Sequence, residues 1–188
     1  MSVAYDQHQG PWTIDDVLAL PEDTRQRIEL VGGALVMSPS PGVPHQLASS
    51  NLHAVLRQAA RAAGAPVAVL EAINVVGPDG LLIPDLAVVD LDAARQAKAT
   101  VSAHDVLLVV EIASPSTRVN DVKVKPLLYA EAGIPAYWRL ELEPRPRLTV
   151  TELENGSYVE RVTLLGGSVV RLSAPFPVDL DPAELTQF

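Results

Sequence analysis

Apolar residues along this chain recur at two spacings, and the changes from one to the other mark its elements. Val67 to Val76 and Leu81 to Val89 are rich in β-branched residues and bracket Gly77-Pro78-Asp79-Gly80, which predicts an antiparallel pair joined by a tight turn. Val106 to Ala113 is almost wholly apolar, as expected of a strand buried on both faces at the centre of a sheet. From His45 to Ala63 the spacing changes: Leu47, Ala48, Leu52, Val55, Leu56 and Ala59 fall on one helical face, and Gly64 is a natural stop.

The remaining segments take their form from caps and turns. Thr13 and Asp16 make a capping box ahead of a short helix that Pro21 ends. Arg27 to Val31 and Ala34 to Met37 flank Gly32-Gly33 as a hairpin, and the prolines of Ser38 to Pro44 impose a rigid loop. Residues 91 to 104 read as a connector with a short helix. A helix is expected over Asp121 to Ala132, its regular part starting near Pro126 and its end marked by Gly133 and Pro135. Tyr137 to Leu142 then returns as a strand, and strand-helix-strand order predicts a parallel pair by a right-handed crossover. Leu148 to Leu153 and Tyr158 to Leu164 form a hairpin about Asn155-Gly156. Val169 to Leu172 suggests one more strand, and Asp181 to Phe188 reads as a weakly specified tail. The pattern as a whole is α/β: a central mixed sheet flanked by helices, with hairpins added at the N- and C-terminal ends.

Composition narrows this picture. A chain of 188 residues is expected to form a single domain over 1–188. With aromatic residues at 4%, the core must be built from Val, Leu, Ile and Ala. The absence of cysteine excludes disulfides, thiol catalysis and thiolate zinc sites. No basic stretch followed by an apolar one opens the chain, and no apolar run is long enough to span a bilayer, so a soluble, cytoplasmic protein is expected. The formal charge of −9 argues against binding nucleic acid through bulk electrostatics. It leaves room for a segregated site in which metal ions supply the positive charge. Lys98, Lys123 and Lys125 are the only lysines, and two of them lie just beyond the acidic stretch described next.

The candidate chemistry lies between Asp85 and Lys125. Asp85 follows Pro84, and Glu111 ends the apolar strand 26 positions later (111 − 85). Alternation along strands puts Ile83, Asp85 and Ala87 on one face, and Glu111 and Ala113 on one face of the next strand, so the two acids can converge at a sheet edge. Paired carboxylates suit Mg²⁺ or Mn²⁺, which prefer oxygen donors and retain waters. A nearby lysine could orient a water or balance developing charge.

These residues resemble a known pattern. Pro-Asp, a spacer, then Glu-x-Lys on the next strand is similar to the PD-(D/E)XK motif of the restriction-endonuclease-like superfamily. Arg27-Ile28-Glu29-Leu30, Met37-Ser38-Pro39-Ser40-Pro41, His45-Gln46, Pro84-Asp85, Glu111 with Ser114-Pro115-Ser116-Thr117, Asp121, Lys125, Tyr129-Ala130 and Ala132 to Trp138 together resemble the Uma-two family of endonucleases, over about residues 10–165. The resemblance implies a Mg²⁺- or Mn²⁺-dependent nuclease acting on DNA, with Asp85 and Glu111 as metal ligands and Lys125 completing the catalytic set. A homodimer is expected.

Ala113 stands where the superfamily places its lysine. In the family that this chain resembles, the lysine sits on the following helix, which selects Lys125, with Lys123 as the alternative. Asp121 and Tyr129 flank Lys125 at helical spacing and could position it. Glu29, His45 and Gln46 are accessory candidates as ligands or substrate contacts. The competing reading is a non-catalytic binding or assembly protein with a degenerate site. A serine hydrolase using Ser114 or Ser116 with His45 lacks the Gly-x-Ser-x-Gly elbow.

Overall fold

The computed structural model describes residues 8–21, 26–113 and 120–188, with side chains from Val122 onward in the last stretch. Helix α1 (Ile14–Leu18) opens on the capping box of Thr13 and Asp16. Strands β1 (Gln26–Val31) and β2 (Ala34–Pro39) form the N-terminal hairpin. Helix α2 (Val43–Ala62) begins two residues ahead of the expected start, with Pro44 in its first turn where a missing N–H costs nothing. Its buried residues Ala48, Leu52, Leu56 and Ala60 repeat every four positions and form the stripe that packs on the central sheet.

The two long strands expected over 67–89 are each broken. The first divides into β3 (Val67–Glu71) and β4 (Asn74–Gly77), with Ala72 at a φ of +48° between them. The second divides into β5 (Gly80–Leu82) and β6 (Leu86–Asp90). The antiparallel pairing survives, β4 with β5 and β3 with β6, but the two pairs belong to different sheets. Ile83-Pro84-Asp85 is therefore the crossing point, and the expectation that Ile83, Asp85 and Ala87 alternate along one strand is corrected. Pro84 cannot donate to a ladder, which favours the break there.

After helix α3 (Leu91–Gln96), strand β7 (Thr100–Ser102) runs parallel to β4. Strand β8 (Val106–Ala113) lies inside the central six-stranded sheet. A π-helical turn over Asn120–Val124 leads into helix α4 (Lys125–Glu131), with Pro126 in its first turn. Strand β9 (Ala136–Glu141) pairs parallel to β8. Strands β10 (Arg147–Glu154) and β11 (Ser157–Leu165) are the C-terminal hairpin and complete the central sheet, in the order β11-β10-β9-β8-β6-β3. Strands β12 (Val170–Leu172) and β13 (Val178–Leu180) form a small separate pair.

The central sheet is covered on both faces. Leu86, Val88, Leu108, Val110, Ile112, Trp138 and Leu140 meet α2 on one side. Ala87, Val89, Val109 and Tyr137 meet Tyr129, Ile134, Val75 and Val101 on the other. The tail is better specified than expected: Leu185 is buried in the α2 core, and the Asn51 side chain donates to the Leu185 and Gln187 carbonyls. The second sheet, β2-β1-β5-β4-β7, holds the N-terminal hairpin beside the crossing point. Gly80 makes this possible, because at its φ of +152° a Cβ would lie 2.0 Å from the Leu30 carbonyl oxygen. That close approach lays β5 along β1 and carries Glu29 to Ile83.

Candidate active site

Arg27 and Glu29 are two apart on β1 and so share a face. Glu29 is only 3% exposed, and its Oε1 accepts the Ile83 amide at 2.7 Å, tying β1 to the start of Pro84-Asp85. On the central sheet, β6 pairs with β8 through Leu86 and Val110. One further step in that register sets Asp85 across from Glu111, where opposed residues share a face. The Ile112 amide donates to Asp85 Oδ2 at 2.7 Å, which fixes the carboxylate against the end of β8.

Two clusters grow from these acids. In the first, Arg27 Nη1 lies 2.5 Å from Asp85 Oδ1, and His45 Nε2, from the first turn of α2, lies 3.0 Å from Asp85 Oδ2. In the second, Lys125 Nζ lies 2.9 Å from Glu29 Oε1 and 3.0 Å from Glu111 Oε1. Tyr129, one turn after Lys125 on α4, donates to the same Glu111 oxygen at 2.6 Å. Asp85, Glu111 and Lys125 are 4%, 2% and 8% exposed, so each charge in this group must be met by protein rather than by bulk water.

Burial alone would push the Asp85 carboxyl up. The His45 hydrogen bond and charge, then the Arg27 guanidinium and the Ile112 amide, outweigh burial and hold it below the ordinary carboxylate value. The Tyr129 phenol moves well above its ordinary value, first through burial and then through the charges of Glu111 and Glu29. It therefore stays a proton donor to Glu111.

The structure brings together Asp85, Glu111, Lys125, Glu29, His45 and Tyr129. Lys123 is exposed, and the Gln46 side chain donates to the Pro41 carbonyl in the loop before α2, at 2.8 Å. Ser114, Ser116, Thr117 and the Asp121 side chain lie outside the described residues. Arg27 is the member that sequence reasoning missed. Its signals were its place in the Arg27-Ile28-Glu29-Leu30 motif and the two-residue spacing from Glu29, and on a hairpin arm that spacing equally describes a solvated face.

Among the described residues, no three His, Asp or Glu side chains stand ready-made around a metal ion. The donor set nevertheless suits a hard divalent cation, which takes one or two carboxylates and completes its shell with water and phosphate oxygens. Three buried carboxylates, Glu29, Asp85 and Glu111, face two permanent cations, Arg27 and Lys125, in ion-pair contact. Beside them the buried Nδ1 of His45 has no hydrogen-bond partner among the described residues. A buried polar atom without a partner beside a group of carboxylates is what the ordered water of a bound cation would satisfy.

The sequence model of the Uma2 family, described as "Putative restriction endonuclease", matches residues 14–186. Among solved structures, a protein described as a putative nuclease belonging to DUF820 from Anabaena variabilis superposes with a TM-score of 0.70 at 17% identity, covering 94% of this chain and 98% of that one. At that identity the likeness is one of fold. No curated protein matches the chain at comparable stringency. Among the described residues no helix is long and apolar enough to cross a membrane.

Proposed function

The chain belongs to the Uma2 family, and from that premise we propose that it is a Mg²⁺- or Mn²⁺-dependent endonuclease hydrolysing DNA phosphodiester bonds. The observation that carries this reading is Lys125, an almost fully buried ammonium held between Glu29 and Glu111, the acid that the strand register sets across from Asp85. A purely structural cluster would gain little from three desolvated acids, since apolar residues of the same volume usually do as well or better.

Asp85 and Glu111 would hold the metal ion, which when bound supplies Lewis-acid polarisation of the scissile phosphate and of a water. Lys125 then orients the attacking water and balances charge growing on a phosphate oxygen. Water oxygen attacks phosphorus in line and gives up a proton to solvent, the bond from phosphorus to the leaving ester oxygen breaks, and that oxygen takes a proton from solvent to leave as an alcohol. Glu29 positions Lys125 and, through the Ile83 amide, the Asp85 segment. Tyr129 donates to Glu111 and keeps that carboxylate aimed. In this reading the protein acts as a single domain and as a homodimer in the cytoplasm. Sedimentation equilibrium, with a mass twice that of the chain, tests the dimer.

The net charge of −9 favours a second reading, a binding or assembly protein that keeps the fold without the chemistry. Incubation of supercoiled, linear and single-stranded DNA with Mg²⁺ or Mn²⁺ separates the two. The wild type should cleave, and Asp85→Asn and Lys125→Ala should each lose about 10²- to 10³-fold in rate. Equal cleavage by all three would assign the activity to a contaminant. No cleavage of any form would favour the second reading.

A further inference from the structure

We propose that Arg27 is a displaceable internal counter-ion of Asp85, so that the cost of moving one guanidinium sets the affinity of this site for its divalent cation. The inference rests on the metal-dependent reading above and adds a device to it.

The two oxygens of Asp85 are held differently. Oδ2 accepts from the Ile112 amide and contacts His45 Nε2, so its two lone pairs are taken by a backbone group and by a ring that is 13% exposed. Oδ1 has one contact, Arg27 Nη1, among those seen for Asp85, and so retains capacity for a ligand bond. A divalent ion on Oδ1 would lie within roughly 5 Å of the guanidinium, close enough for strong like-charge repulsion in a poorly solvated site.

Arg27 is also the partner able to leave. Its side chain is 27% exposed, twice the exposure of His45, and it extends from a hairpin in which Arg27 sits opposite Ser38. Long arginine side chains can swing their charge into water while their stems stay packed. Lys125 is built the other way: it is dry and lies between two carboxylates, so displacement from Glu111 would leave it facing Glu29. The metal therefore exchanges with the cation on Asp85 and leaves the cation on Glu111 in place.

Mn²⁺ binding to the full chain, read by calorimetry and by loss of the free Mn²⁺ resonance signal, tests this directly. Arg27→Gln should bind Mn²⁺ about 10-fold more tightly than wild type, within the range that neighbouring groups exert on metal sites. Arg27→Lys, which keeps the charge, should stay near wild type. A second readout uses the folded wild type: the side-chain Nε–Hε signal of Arg27, assigned through Arg27→Lys, should shift and exchange faster with water as Mg²⁺ is added. It should not respond in Asp85→Asn. Equal or weaker Mn²⁺ binding by Arg27→Gln, or an Arg27 signal indifferent to saturating Mg²⁺, overturns the counter-ion inference while leaving the metal site standing. Mn²⁺ bound by neither protein, or bound equally by Asp85→Asn, overturns the metal-dependent reading itself.

Discussion

The Asp85 half and the Glu111 half of the cluster contain the same kinds of group but are built to different standards of rigidity. Around Glu111, the lysine is shared between two acids and the tyrosine is fully buried on the same helix face. Around Asp85, the partners are contributed by a hairpin and a helix start, and the arginine is over a quarter exposed. One half is fixed by its own packing, and the other keeps a charge that solvent can take back. Under the proposed function, a site that admits a metal ion and a polyanion would gain from that asymmetry, because one set of partners stays aligned while the other exchanges.

The largest effect should come from breaking the fixed half. Lys125→Met leaves Glu29 and Glu111 facing each other without their cation, and chemical denaturation should show a loss of about 3–5 kcal/mol. Arg27→Gln should lose less, about 1.5–3 kcal/mol, the range for one charge-assisted hydrogen bond. Equal losses would mean that the halves do not differ. Tyr129→Phe removes a buried donor to Glu111 and should lower stability by about 1–3 kcal/mol. The same change should also slow DNA cleavage, because Glu111 is then less firmly aimed.

The difference between the halves was only partly visible in the sequence. Val106 to Ala113 announced a central strand because eight residues with one charge leave no face for water, and Glu111 stood out as that charge. Ala113 left the lysine's place on the strand empty, and the family resemblance pointed to Lys125, with Lys123 as the alternative. Arg27 was hidden because an arginine on a hairpin arm is usually solvated, and its partner lies 58 positions away. The break in the long strands was hidden too. Val67 to Val76 keeps its β-branched character across Ala72, and propensity registers pleat without registering which sheet a strand joins. The left-handed turn at Ala72 occurs without the glycine that would have flagged it.

A smaller effect follows from the charge on Asp85. Its carboxyl lies below the ordinary value of 3.8 in the folded protein, so its contribution is complete above that value and disappears as pH falls through the lowered one. The stability difference between wild type and Asp85→Asn should therefore shrink as pH falls through the ordinary carboxylate range and below it. A constant difference would show that Asp85 gains nothing from its charged form in the folded protein. The smallest effect belongs to the exposed Lys123: Lys123→Ala should change stability by no more than about 0.5 kcal/mol and leave cleavage unchanged.

The most direct measurement is a crystal structure of the protein grown with Mn²⁺ and read by its anomalous difference density. One peak is expected within about 2.5 Å of a carboxylate oxygen of both Asp85 and Glu111, with Arg27 withdrawn from Asp85 and Lys125 still between Glu29 and Glu111. A manganese peak away from that pair, or none there at saturating Mn²⁺, would contradict it.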